Sequence, residues 1–158
     1  MDAAYRIDAD VAPDFAEADA YYAKVKDSLT SADMGAMTEP EVQRWLAVEQ
    51  RELMRRLVQS HVKLRGQPQT VGPVVGSDGA PRTHVRHGQS RKLETIFGTV
   101  EAERTGHSGR GLSTLYPVDA ALNLPQTRYS HEVERQIAKA VARLSFDAAL
   151  EMVGDLTG

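Results

Sequence analysis

The chain has 158 residues, 22 acidic and 19 basic side chains, a net charge of −3, 41% hydrophobic residues and no cysteine. This is the composition of one soluble globular domain with appendages, and it excludes disulfides, thiolate zinc centres and cysteine nucleophiles. No run of about 18 apolar residues offers a membrane span, and the N-terminus is acidic where a secretory signal is basic and then apolar, so a cytoplasmic protein is expected.

The charge is unevenly spread. Residues 1–40 hold nine acids against three bases, and the rest of the chain holds thirteen acids against sixteen bases. A mild positive balance of this kind permits polyanion binding without requiring it, because an ordinary solvated surface looks the same.

Residues 1–12 lack periodicity and are expected to fray. Pro13 can open a helix, with Asp14 and Glu17 near its positive end and Phe15, Ala18, Tyr22 and Val25 at helical spacing, ending around Leu29. Thr30 to Met37 reads as a linker. Thr38-Glu39-Pro40-Glu41 matches a capping box, and behind it Val42, Trp45, Leu46, Leu53, Leu57 and Leu64 mark one face of a long helix reaching about Arg65. Its second half is basic. Self-association through this helix is one reading, although Glu49 on the apolar side weakens a strict heptad.

Gly66-Gln67-Pro68 stops the helix. A strand is expected at Thr70–Val75, a turn at Gly76–Gly79 and a second strand at Arg82–His87. Arg91 to Arg104 carries the densest period-2 pattern in the chain and reads as a β-hairpin turning at Gly98-Thr99. That register sets Phe97 against Val100, Thr95 against Ala102 and Leu93 against Arg104, giving one mainly apolar and one acidic face. It also sets Glu94 against Glu103, a like-charge pair that needs a nearby base such as Arg82, Arg86 or Arg91 between them. Arg82, His84, Arg86, His87, Arg91, Lys92, Arg104, His107 and Arg110 cluster along this sheet and its flanks, an arrangement that can track phosphates but is offset by Glu94, Glu101 and Glu103.

Gly106 to Gly111 reads as a flexible loop, and the proline-bracketed stretch Leu115 to Pro125 as a surface crossing. Ser130 caps a helix with Val133, Ile137 and Val141 on one face, and Ser145 caps another carrying Phe146, Ala149, Leu150 and Val153. Two helices joined so briefly match the first two of a helix-turn-helix, with Thr157-Gly158 as the turn. The fold class expected is therefore α+β: N-terminal helices including one long amphipathic helix, a small antiparallel β-sheet, and a C-terminal pair of helices resembling an incomplete helix-turn-helix. The segments are 1–37, 38–66, 67–112 and 113–158.

No P-loop, dinucleotide fingerprint or His-Glu-x-x-His occurs, and Gly106-His107-Ser108-Gly109-Arg110 ends in arginine where a nucleophile elbow needs glycine. His84 and His87, three apart in a strand, fall on opposite faces and are expected as surface histidines rather than metal ligands.

Val75-Gly76-Ser77-Asp78-Gly79 with Arg82-Thr83-His84-Val85-Arg86, Leu93 to Val100 with Arg104, and above all Leu115 to His131 followed by Ser145-Phe146-Asp147 resemble the N-terminal part of bacterial insertion-sequence transposases of the ISKra type. The resemblance covers roughly residues 48–158. It implies three metal-binding carboxylates in a ribonuclease-H-like domain downstream, so Mg²⁺ is expected only for that absent catalytic part and no cofactor in this chain. It further implies a DNA-binding and assembly module, inactive alone, whose partners are transposon-end DNA, the catalytic part of the transposase and a second copy of itself, in a bacterial cytoplasm beside the nucleoid. Arg82, Arg86, Arg91, Lys92, Arg128, His131 and Arg135 are the phosphate-contact candidates, with no catalytic residue among them. The competing readings are a protein-interaction module built on the long helix and an inactive transposase remnant.

Overall fold

The computed structural model describes residues 15–66, 73–143 and 145–157. The N-terminal twelve residues, the helix opening at Pro13, the stop at Gln67-Pro68, most of the strand expected from Thr70, the joint at Leu144 and the final Gly158 lie outside these described residues. The protein is α+β, with helices α1 (Ala16–Leu29), α2 (Ala32–Gly35), α3 (Glu39–Gly66), α4 (Pro117–Ala121), α5 (His131–Arg143) and α6 (Phe146–Thr157). Its strands are β1 (Val74–Val75), β2 (Pro81–Arg82), β3 (His84–Thr95), β4 (Gly98–Gly109) and β5 (Leu112–Leu115). They form two antiparallel sheets, β1-β2 and β3-β4-β5. The chain divides into two compact units, one up to His61 and one from Val62 onward.

In the first unit the expected linker Thr30–Met37 instead carries the short helix α2. Ser31 caps it by accepting from the Met34 amide at 3.3 Å, and Met34 is buried. Glu41 reaches back to accept from the Thr38 amide at 2.7 Å and from the Thr38 hydroxyl at 2.6 Å, so the helix start is fixed where the capping residues lie.

Helices α1 and α3 run antiparallel, Arg56 reaching the Glu17 carbonyl at 3.4 Å while the Tyr21 hydroxyl donates to Glu49 at 2.6 Å. Arg56 also lies over the Tyr21 ring, 4.3 Å from its centroid. Glu49, the odd charge on the apolar side of α3, thus has a partner on α1. Glu52 binds both Arg55 and Arg56 at 2.7 Å, and the Arg55 hydrogen bond is the chief reason its carboxyl is held down at about 2.

The Glu49 hydrogen bond raises the Tyr21 phenol from 10.0 to about 12. A proton held more tightly in the folded state means stability is intact below pH 10 and falls as pH rises towards 12. Alkaline unfolding is therefore expected to steepen in that window for the native chain and to flatten in Tyr21→Phe, read by circular dichroism from pH 9 upward as a difference between the two proteins.

The second unit is organised by the β3–β4 ladder. Its register sets Thr95 against Gly98, Leu93 against Val100, Lys92 against Glu101 and Gln89 against Arg104. The turn is Ile96-Phe97, two residues earlier than Gly98-Thr99. Thr95 makes it: its hydroxyl donates to the Gly98 carbonyl at 2.7 Å and accepts from the Phe97 amide at 3.2 Å, while Gly98 adopts φ 116 just after the turn.

Displacing the turn by an even number of residues keeps every side chain on its expected face. What changes is the pairing. Leu93 meets Val100 instead of Arg104, and Glu94 meets Thr99, whose hydroxyl donates to it at 2.7 Å. The Glu94–Glu103 repulsion is absent, and Lys92 stands opposite Glu101.

On the inner face Leu93, Thr95, Val100 and Ala102 are buried. Helix α5 packs on β3, and α6 packs on β4 and on α5. Val133 and Ala140 of α5 and Ala149 of α6 are buried, whereas Val141 and Leu150, expected on the inner faces, are exposed. Spacing of seven, from Val133 to Ala140, sets the buried stripe of α5, and Val141 lies one residue off it. Each of these two helices thus packs part of its apolar face on the sheet and leaves part of it exposed. Ser130 and Ser145 cap them, accepting from the Val133 and Ala148 amides at 3.3 and 3.4 Å.

Gly106 to Gly111, expected as a flexible loop, is the end of β4, a tight turn at Arg110-Gly111 and the start of β5. A Cβ on Gly106 would sit 3.1 Å from Gln89, Thr114 and Tyr116 side chains, so glycine there permits close packing. Leu115 to Pro125 likewise resolves into the end of β5 and α4, with Pro117 in its first turn.

Candidate nucleic-acid interface

The clustered bases of the sheet separate by their partners. Arg82 is 2% exposed. Its guanidinium binds both Asp78 oxygens at 2.7 and 2.8 Å, the Ala80 carbonyl at 2.6 Å and the Ser113 carbonyl at 3.3 Å. With β2 packed against β4 and β5, it fastens the small sheet to the large one. Arg82, one of the expected phosphate contacts, thus has four of its five donors engaged inside the protein. Those hydrogen bonds hold the Asp78 carboxyl at about 2, the Arg82 contact first among their causes.

Arg91, another of the expected contacts, also has internal partners. It and Arg104 converge on one carboxylate oxygen of Asp119, at 3.4 and 2.6 Å, with side-chain exposures of 16%, 18% and 20% respectively. Arg91 also donates to the Thr127 carbonyl, and Arg104 lies over the Tyr116 ring, 3.8 Å from its centroid. A cavity of about 320 Å³ adjoins this hub, lined in part by Leu124, Pro125 and Gln126. The hub ties α4 to both hairpin strands, so these arginines hold the fold together. Arg104 Nε and Asp119 Oδ1 are buried without a hydrogen-bond partner among the described residues.

Around the start of α5 the basic side chains are exposed, and each stands beside an acid. Arg128, 67% exposed at its side chain, lies 3.2 Å from Glu94. His131 lies 3.4 Å from Glu134, and Arg135 bridges Glu132, whose carboxyl is held at about 2 chiefly by that contact. Exposed pairs of this kind contribute little stability, but they cancel much of the local positive field. The backbone is pinned as well, Glu94 donating to the Arg128 carbonyl at 2.7 Å and accepting from the Ser130 amide at 2.9 Å.

Arg86 and Lys92 remain. Lys92 projects from the exposed outer face opposite Glu101. Arg86 is exposed and lines a cleft of about 430 Å³ at the open end of β3 and β4 with His84, Val85, Ser108, Gly109 and Arg110. Among the described residues no acidic side chain lines it.

The structure thus does not gather the seven candidates into one surface. Arg128, His131 and Arg135 sit at the N-terminal end of α5, Arg86 at the far end of the ladder, and Arg82 and Arg91 inside. Sequence reading placed Arg110 in the basic cluster but left it out of the phosphate-contact candidates, and it did not foresee the burial of His107, which is 2% exposed in the central strand; both fell in what looked like a loop. The Arg110-Gly111 pair, with Gly111 at φ 73, is the one signal that marks a turn there.

Among the described residues no group of three or more His, Asp or Glu is placed to hold a metal ion, and no helix is long and apolar enough to cross a membrane. Comparison with protein-family models, with curated proteins and with solved structures found no significant match.

Proposed function

We propose that residues 62–158 form a nucleic-acid-binding and assembly module of a transposase of the ISKra type, which works in DNA transposition together with a catalytic part and carries out no strand cleavage itself. The observation that supports it best is a division of labour among the bases. Arg82, Arg91 and Arg104 are engaged in internal bonds, while Arg86 and Arg110 make no hydrogen bond or ion pair among the described residues. With Lys92 they leave about three cations facing solvent from one sheet. That is the footprint of contact with a phosphate backbone rather than with base edges. The resemblance across Leu115 to His131 supplies the transposase context.

The test is a fluorescence anisotropy titration of a short DNA duplex at several salt concentrations. Three phosphate contacts predict a log–log slope of about −3, a loss of affinity of roughly 40-fold between 50 and 200 mM salt, and equal affinity for a scrambled duplex. No binding at the lowest salt would remove the reading.

A further inference from the structure

We infer that the cleft at the open end of the β3–β4 ladder is a phosphate site, and that its occupant is one phosphodiester group of a DNA backbone. The inference rests on the DNA-binding reading above and names the place of contact.

Three of the six residues around the cleft, His84, Arg86 and Arg110, carry basic side chains, Ser108 adds a hydroxyl, and none is acidic. Each guanidinium offers five donors in a planar fork that matches a tetrahedral oxyanion. Those of Arg86 and Arg110 are exposed and have no internal partner among the described residues, unlike Arg82 and Arg91 on the same sheets. At about 430 Å³ the cleft admits a phosphate with its flanking sugars. Among the described residues that line it there is no amide side chain to read a base edge, so recognition there is of the backbone and indifferent to sequence.

The fold assembles this group by a specific device. The ladder shifts register between Arg86 and Gln89, and Gly88 adopts φ 67 within that step, so that two β3 residues oppose Thr105 alone. Without the bulge, Arg86 would pair with His107 and project from the outer face. With it, Arg86 pairs with Gly106 and His84 with Ser108, which brings both onto the Ser108 face. The Arg110-Gly111 turn then brings the second guanidinium to the same cleft from the other strand.

The experiment uses the full chain, with Arg86→Ala/Arg110→Ala, Arg86→Lys/Arg110→Lys and, as a single-contact comparison on the outer face, Lys92→Ala. Folding is checked by circular dichroism. Neither arginine makes an internal bond among the described residues, so no loss of structure is expected. The alanine pair is expected to weaken duplex binding by about 10- to 30-fold at low salt and to lower the salt slope by about two. The lysine pair keeps the slope, and Lys92→Ala lowers it by about one. Amide spectra recorded with the duplex, and separately with inorganic phosphate, are expected to shift at His84, Ser108, Gly109 and Arg110. Undiminished duplex binding by the alanine pair would overturn the cleft while leaving the DNA reading intact. No duplex binding by the native chain would overturn both, and phosphate shifts in that case would assign the cleft to free phosphate.

Discussion

Replacing Asp119 by alanine is expected to destabilise the second unit by about 3 kcal/mol, because it removes the one carboxylate shared by two largely buried guanidiniums. Arg104 has little alternative: its Nη1 bonds Asp119 at 2.6 Å, its Nε has no partner among the described residues and its face is covered by Tyr116. Arg91 keeps its bond to the Thr127 carbonyl, so most of the cost falls on Arg104. Two companion variants identify the cause. Asp119→Asn keeps an acceptor but no charge and is expected to fall between the native protein and the alanine variant. Arg104→Met in the Asp119→Ala background removes the stranded cation, so the double variant is expected to be more stable than the sum of the single losses by about 1 to 2 kcal/mol. Urea denaturation at neutral pH of these three variants, and of Arg104→Met alone to complete the cycle, measures the differences. A loss in Asp119→Ala below about 0.5 kcal/mol, the scale of an exposed ion pair, would contradict the account.

Gly66→Ala is expected to cost about 2 kcal/mol, against the usual direction for such a change. Alanine ordinarily favours a helix over glycine by up to about 1 kcal/mol. Here a Cβ on Gly66 would lie 2.6 Å from the Glu103 carbonyl oxygen of β4, a backbone atom that cannot swing aside, so the last turn of α3 or the strand must shift. Gly35→Ala is the control, since nothing lies within 4 Å of its Cβ position, and it is expected to be neutral or slightly stabilising. Thermal unfolding of the two variants against the native chain separates the effects. A stabilising Gly66→Ala would show that no such close approach exists.

Gly66 also illustrates what the sequence makes legible. As a helix-stop signal it marks the end of α3 correctly, but its contact with Glu103 depends on a strand 37 positions away and leaves no local trace. The helices follow from period and caps because those signals are local: Thr38 with Glu41, Ser130 and Ser145 each sit where the backbone starts to turn. The hairpin faces follow from the pleat. Its register does not, because Gly98 carries the familiar turn signal while the turn is closed by hydrogen bonds of the Thr95 side chain.

Candidate site residues are harder still. Clustered arginines in a sequence record where positive charge can be, but whether each is free depends on carboxylates brought in by folding. Asp78 lies only four residues before Arg82 across a turn, a pairing the spacing could have suggested. Asp119 comes from 28 positions beyond Arg91. Arg110, counted in the basic cluster, was passed over as a site residue for the opposite reason, since the glycines around it look like flexibility when they permit a tight turn and close strand packing.

The measurement that bears most directly on the central claim, that the buried arginines hold the fold while the free ones face DNA, is an amide-resolved map of the full chain titrated with a short duplex at low salt. The account predicts shifts concentrated at His84 to Arg86, Lys92 and Ser108 to Gly111, growing with added duplex and reversed by salt. Shifts centred instead on Arg82, Arg91 and Asp119, or absent from the cleft altogether, would contradict it.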